Sequence, residues 1–333
     1  MSEIIATSRR IEQFQWTAQA ILAEIKKAIV GQDAIIHDLL VALLSGGNVL
    51  MEGVPGLGKT LLVRTLAQAV DCTFSRVQFT PDLMPADIVG TMIITETPDG
   101  RRGFRFERGP VFANLVLADE INRAAPRTQS ALLEAMQEQH VTVAGETYQL
   151  PRPFFVLATQ NPIEMEGTYP LPEAQLDRFF YKIEVPSPNE NDLVEIARRT
   201  TGSSMPDVRQ VADGDRLLSM QELAREVPIE ERVYRYAAGL IGATHPEDRR
   251  APLGIRRHLR VGVSPRGIQA MIVAAKVEAL LDQRKAVSIR DIQKVVFPAL
   301  RHRMIMNFEA QAEAIPPDAI LDEVLQAIPV PKA

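Results

Sequence analysis

The sequence predicts an α/β fold, a parallel sheet flanked by helices, followed by a smaller helical region. Three observations carry that expectation. Short apolar runs alternate with helix-period segments as far as Val185. The stretch Gly53-Val54-Pro55-Gly56-Leu57-Gly58-Lys59-Thr60 lies between the apolar run Asn48-Val49-Leu50-Met51 and the helix-period stretch Leu61 to Ala67, giving strand, glycine loop and helix in succession. Beyond the breaker cluster Pro186-Ser187-Pro188-Asn189, no segment has the character of a strand.

The elements follow in order. Phe14, Ala18, Ile21, Leu22, Ile25 and Ile29 recur at helical spacing between Ile11 and Val30, and Gly31 ends the pattern as a C-cap. A second helix runs to Leu44 with Asp33 as its cap, and Gly46-Gly47 stops it. Phe74 to Phe79 alternates as a strand does, and Pro81 to Asp87 is a loop entering a short helix. Met92–Thr95 and Gly103–Phe106 flank Pro98-Asp99-Gly100, a hairpin signal. Asn114 to Ala118 is continuously apolar and reads as a buried central strand ending in Asp119-Glu120. A helix over Thr128–Gln139 leads to a second hairpin, with His140–Val143 and Thr147–Leu150 about a tip of Ala144-Gly145-Glu146. Phe154–Thr159 and Phe179–Val185 complete the strands. After the break, segments 192–199, 220–225, 229–243, 265–281, 289–297 and 318–328 all fit helices.

The glycine loop matches G-x-x-x-x-G-K-[ST], whose backbone N–H groups cradle phosphate oxygens at a helix N-terminus. Lys59 can reach the β- and γ-phosphates, and the Thr60 hydroxyl can ligate Mg²⁺. Asp119, at the end of a buried strand, can complete the Mg²⁺ site, and Glu120 can deprotonate a water aimed at the γ-phosphate. That adjacent pair points to hydrolysis rather than phosphoryl transfer to a small molecule. In Ala158-Thr159-Gln160-Asn161-Pro162 the Asn161 amide can bond both the γ-phosphate and the water, although Asn-Pro also suits a plain turn. Arg178, in Leu176-Asp177-Arg178-Phe179, can enter a neighbouring subunit's site; by default an isolated arginine is a surface ion pair. Ser264 and Pro265 fit N-cap and N1 of a helix, which puts Arg266 in the first turn, where the helix dipole disfavours a cation. Phosphate is the expected compensating partner.

Composition narrows the field. The chain has 333 residues, 46% of them hydrophobic and 24% charged, as an ordinary globular protein of about two domains would. A net charge of -5 gives no global case for nucleic-acid binding. The local cluster Arg249, Arg250, Arg256, Arg257 and Arg260 lacks interleaved aromatics for base stacking, so a solvated face or an inter-subunit contact is the favoured reading. Cys72 is the one cysteine and reads as a buried, inert thiol; His37, His140, His245, His258 and His302 lack metal-ligand spacing. No apolar run approaches the ~20 residues of a membrane span. Met1-Ser2-Glu3-Ile4-Ile5 lacks the basic region and apolar core of a signal peptide, so a cytoplasmic location is expected.

Taken in this order, the motifs resemble those of the AAA+ ATPases, and of the MoxR family in particular. Gly53–Thr60 resembles Walker A, Leu115–Glu120 Walker B, Asn161 sensor 1, Arg178 the arginine finger and Arg266 sensor 2. Val30-Gly31-Gln32 is similar to the segment that packs around adenine. The family-level likeness lies in Phe79 to Ile88, in Ile121-Asn122-Arg123-Ala124 with Gln129 to Glu138, and in Tyr169 to Phe179. It spans about Val30 to Arg303.

The resemblance implies a P-loop αβα sandwich of about five parallel strands followed by a small all-α lid. Residues 1–30 would form an N-terminal helix, 31–187 the nucleotide domain and 188–333 the lid. The hairpins would correspond to a helix-2 insert, about Thr91–Gly109, and a pre-sensor-1 hairpin, about His140–Leu150. Nucleotide contacts would come from Val30, Gly31, Gln32, the loop from Gly53 to Thr60, Leu61 and Asp119. The cofactors would be ATP and Mg²⁺, and the assembly a homo-oligomeric ring, usually a hexamer. Such proteins are thought to act as chaperone-like remodelers that mature clients, often by inserting metals or cofactors, with partners carrying von Willebrand factor A domains. The alternative class is a DNA-associated motor. The tip of the second hairpin suits an exposed contact that transmits nucleotide state, or equally a plain surface turn.

Overall fold

The computed structural model describes residues 2–54, 56–96, 102–161, 167–202 and 206–331. Helix α1 (Ser2–Ala28) and α2 (Asp33–Ser45) precede β1 (Val49–Glu52), α3 (Lys59–Ala69), β2 (Phe74–Gln78) and α4 (Pro85–Val89). The hairpin β3 (Gly90–Glu96) and β4 (Arg102–Arg108) leads to β5 (Leu115–Asp119), a 3-10 turn (Ile121–Arg123) and α5 (Pro126–Glu138). The hairpin β6 (His140–Val143) and β7 (Glu146–Gln149), then β8 (Phe155–Gln160), α6 (Glu173–Leu176) and β9 (Tyr181–Glu184), close the sheet-bearing part. There follow α7 (Glu190–Thr200), α8 (Gly214–Glu226), α9 (Glu231–Ala243), α10 (Leu253–His258), β10 (Leu259–Val261), α11 (Pro265–Leu281), α12 (Ile289–Leu300), β11 (Ile305–Met306), α13 (Phe308–Ala312) and α14 (Pro317–Ala327).

The central sheet has five strands, all parallel, in the order β2-β5-β8-β1-β9. Its apolar runs are buried on both faces and divide between two cores by the two-residue period of a strand. Val49, Met51, Leu115, Leu117, Phe155 and Leu157 face α1, α2, α3 and the helices after β9. Leu50, Val116, Ala118, Val156 and Ala158 face the other way, into a smaller core with α4 and α5. The larger core is continuous through α8, α9, α11, α12 and α14, so the helical region rests on the same hydrophobic body as the sheet.

Several expectations need correction. Helix α1 starts at Ser2 rather than Ile11, because extending an existing helix gains one hydrogen bond per residue fixed. Asp33 does not cap α2: Gln32 holds the N-cap position without a side-chain bond, and Asp33 is the first helical residue. There its charge suits the helix dipole, and it pairs with Lys26. Gly46 does end α2, in the left-handed conformation, with φ 72°. The region after β9 is not wholly helical, since β10 and β11 pair as a short antiparallel ribbon; strands of three and two residues are too short to leave a periodic trace. The second hairpin turns on two residues, Ala144 (φ 53°) and Gly145 (φ 85°), a backbone that matches strand twist, and Glu146 belongs to β7. The Pro98-Asp99-Gly100 turn of the first hairpin lies outside the described residues. Cys72 is only half-buried, though that suffices to push its thiol up to about 11.

Candidate active site

Open parallel sheets present ligands at the carboxyl ends of their strands. There, past the ends of β1, β5 and β8, lies a cleft of about 450 Å³. The glycine loop forms one wall. Gly56 (φ 85°) and Gly58 (φ 75°) are left-handed, and a Cβ on either would meet nothing within 4 Å. That conformation aims successive N–H groups into open space. Lys59 begins α3, and its ammonium donates to the Gly53 carbonyl at 2.5 Å. Half-burial holds it below the usual lysine range, against the opposing pull of Asp119, Glu120 and Glu52. Thr60 and Leu61 also border the cleft; Pro55 is outside the described residues. Gln32 reaches across to donate to the Leu57 carbonyl at 3.0 Å, which ties the Val30-Gly31-Gln32 segment to the loop.

The opposite wall carries the acids. Asp119 ends β5, and one oxygen accepts the Thr159 hydroxyl at 2.5 Å. Its other oxygen accepts from the Arg76 guanidinium at 2.7 and 3.2 Å. Glu120 has φ 57°, a conformation a residue with a Cβ adopts at a cost. Its N–H donates to the same Thr159 hydroxyl at 2.8 Å. One hydroxyl on β8 therefore holds both the Asp119 carboxylate at the end of β5 and the backbone N–H of Glu120 just beyond it. The Glu120 carboxylate accepts from the Gln78 amide at 2.8 Å and pairs with Arg123 at 2.8 Å. Gln78 in turn accepts from Arg76 at 2.7 Å, so Arg76, Gln78 and the two acids form one network. Asn161 is buried and borders the same cleft; Pro162 lies outside the described residues. Open space over the loop, a lysine at the helix start and a hydroxyl and a carboxylate opposite fit a magnesium-bound nucleoside triphosphate in kind and position.

Arg178 and Arg266 are not brought there. They lie together beside Asn48, which precedes β1, whereas the phosphate loop follows it. The four residues of β1 separate Asn48 from Gly53, five steps of ~3.3 Å or about 16 Å. Arg178 is exposed, and among the described residues its side chain has no ion-pair or hydrogen-bond partner. Arg266 does sit in the first turn of α11, capped by Ser264, and within this chain its guanidinium lies 3.5 Å from the Asp177 carboxylate.

Sequence reasoning missed Thr159, Arg76, Gln78 and Arg123. Thr159 left a signal, a polar residue closing a buried run two positions before Asn161. Arg76 and Gln78 left little, since their role depends on β2 lying beside β5, with Gln78 opposite Asp119. The arginine cluster after α9 is largely satisfied internally: Arg250 pairs with Asp248, Arg257 with Glu309 and Glu313, and Arg256 donates to carbonyls.

Residues 48–181 match the model of the ATPase family associated with various cellular activities, and residues 254–324 match that of the AAA lid domain. The Chaperone MoxR1 of Mycobacterium tuberculosis is 44% identical over 316 residues, 95% of this chain and 83% of that one. Protein MoxR of Methylorubrum extorquens is 33% identical over 92% of this chain and 93% of its own. The crystal structure of a candidate ATPase from Cytophaga hutchinsonii superposes over the whole of both chains with a TM-score of 0.92 at 38% identity. The chain belongs to the MoxR family of AAA+ ATPases.

Proposed function

We propose that this protein hydrolyses ATP within a homo-oligomeric ring and uses the turnover to remodel or mature a client protein. One observation carries the hydrolytic reading: the Thr159 hydroxyl aligns Asp119 and Glu120 across the cleft from the Gly56–Thr60 cradle. The loop N–H groups and Lys59 bind the phosphates, and Val30, Gly31 and Gln32 border the adenine. Thr60 and Asp119 hold Mg²⁺, which when bound draws charge from the phosphate oxygens. Glu120 takes a proton from water at the γ-phosphate while Asn161 orients that water. To do so Glu120 gives up Gln78 and Arg123, and Asp119 gives up Arg76. Arg178 and Arg266, about 16 Å of strand away from their own loop, serve a neighbour's γ-phosphate. That need for a neighbour is the argument for a ring, a hexamer by family resemblance.

Residues 1–30, 31–187 and 188–333 act as N-terminal helix, nucleotide domain and lid. The chaperone name of the 44%-identical relative supports a client-directed role. Metal or cofactor insertion, a von Willebrand factor A domain partner and a cytoplasmic setting follow from resemblance. Among the described residues no helix is long and apolar enough to cross a membrane. The test is ATP turnover by the purified protein, with Glu120→Gln as a trap that binds ATP and retains its client. Absence of turnover in assembled protein rejects the reading, and stimulation by DNA would favour the motor alternative.

A further inference from the structure

Arg178 is exposed, yet the backbone that carries it is held by one of the most heavily engaged groups in the molecule. Arg303 lies just beyond α12 and is 7% exposed. Its Nε donates to the Asp177 carboxylate at 3.1 Å. One terminal nitrogen donates to the Phe179 carbonyl at 2.6 Å and the Asp177 carbonyl at 3.4 Å. The other donates to the Phe180 carbonyl at 3.1 Å and to the Ala299 carbonyl. These contacts use all five N–H donors of the guanidinium. They fasten the carbonyls immediately before and after Arg178 to the end of a lid helix. His302 adds a bond from Nε2 to the Phe179 carbonyl at 3.0 Å; because a carbonyl only accepts, Nε2 carries the proton. The Asp177 carboxylate also accepts the Ser264 hydroxyl at 2.8 Å at the start of α11. A buried arginine costs desolvation, and here burial pulls Arg303 down to about 10. No shorter polar side chain could hold the carbonyls of Asp177, Phe179 and Phe180 at once.

We propose that Arg303 is a positioning residue for Arg178: the lid of one subunit grips the backbone on both sides of Arg178 and so sets where that arginine reaches into the next subunit's site. The inference rests on the reading of Arg178 as acting in a neighbour. A shift of the lid with nucleotide state then moves the arginine offered next door.

The test is Arg303→Lys, which keeps the charge and loses the fork, with Arg303→Met as the volume-conserving variant should the lysine not fold. Turnover should fall roughly 10²-fold, the scale of a 1 Å misplacement, while nucleotide affinity stays within about twofold. Mixing the Arg303 variant with Lys59→Ala should restore activity as fully as mixing Arg178→Ala with Lys59→Ala. In both mixtures one partner supplies a sound arginine and the other a sound phosphate loop. A chain that was merely destabilised would not be rescued. Recovery with Arg178→Ala but not with the Arg303 variant overturns the clamp alone. No recovery in either mixture withdraws the reading of Arg178 in trans, and the clamp with it. Wild-type turnover in Arg303→Lys, or failure of both variants to fold, reduces Arg303 to a core residue.

Discussion

The two ends of the central sheet are built on opposite plans. At the carboxyl end, every charged group has an answer within the chain: Lys59 on the Gly53 carbonyl, Asp119 between Arg76 and Thr159, and Glu120 between Gln78 and Arg123. At the amino end, Arg178 stands exposed while its backbone is pinned by Arg303. The first end is a site holding itself in reserve, its partners ready to be exchanged for ligand. The second end carries an exposed arginine on a hydrogen-bonded backbone, which is what the role proposed for Arg178 in a neighbouring subunit requires. A charge left in water on a fixed backbone has little value for stability and considerable value for recognition.

The largest expected effect separates the two ends directly. Arg178→Ala should lower turnover by about 10³-fold or more, the scale of an arginine finger, with ATP affinity unchanged. Steady-state ATPase beside calorimetric binding checks it; a parallel loss of affinity would place Arg178 in its own chain's site and erase the contrast. Glu120→Gln should follow, with turnover down by about 10²–10⁴-fold and tight binding retained, because the amide keeps the shape but cannot take the proton. Lys59→Ala comes third: loss of a charge-assisted contact of about 3 kcal/mol weakens ATP roughly 10²-fold. Near wild-type affinity in calorimetry would show that the loop N–H groups suffice.

The contrast also explains which parts were legible in the sequence. Glycine loop, acid pair, Asn161 and the buried runs are local patterns, and the structure brings them to one cleft. Arg178 and Arg266 were equally visible, but the end of the sheet on which they lie depends on strand order. Asp177 and Arg303 are 126 positions apart, so nothing in either neighbourhood announces the clamp. Arg76 acquires its contact with Asp119 only through the β2–β5 register. Asp33 misled because capping propensity and first-turn charge preference favour the same residue at adjacent positions.

The smallest effect concerns the link between the two hairpins. Phe106 on β4 stacks on Tyr148 on β7, with ring centroids 4.1 Å apart and planes 23° from parallel. The second hairpin starts at His140, which borders the same hollow as Arg178, and returns to β8, whose last residues meet the acids. It is therefore tied to both ends of the sheet, and through Phe106 to the first hairpin, where Ile94 and Phe104 face each other across the strands and are 66% and 74% exposed. If the hairpins move as one body, Tyr148→Ala removes a stack of about 0.5–1.5 kcal/mol and should lower the melting temperature by only a few degrees. ATP affinity and basal turnover should remain within about twofold, because neither ring touches the cleft. The sensitive measurement is amide hydrogen exchange in β3–β4 with and without ATP. In the parent protein, nucleotide should alter protection of this hairpin; in Tyr148→Ala that response should vanish while the response of the glycine loop persists. Should β3–β4 respond to ATP equally in both proteins, the stack is only packing, and nucleotide state must reach the first hairpin through α4 and the segment that joins it to β2.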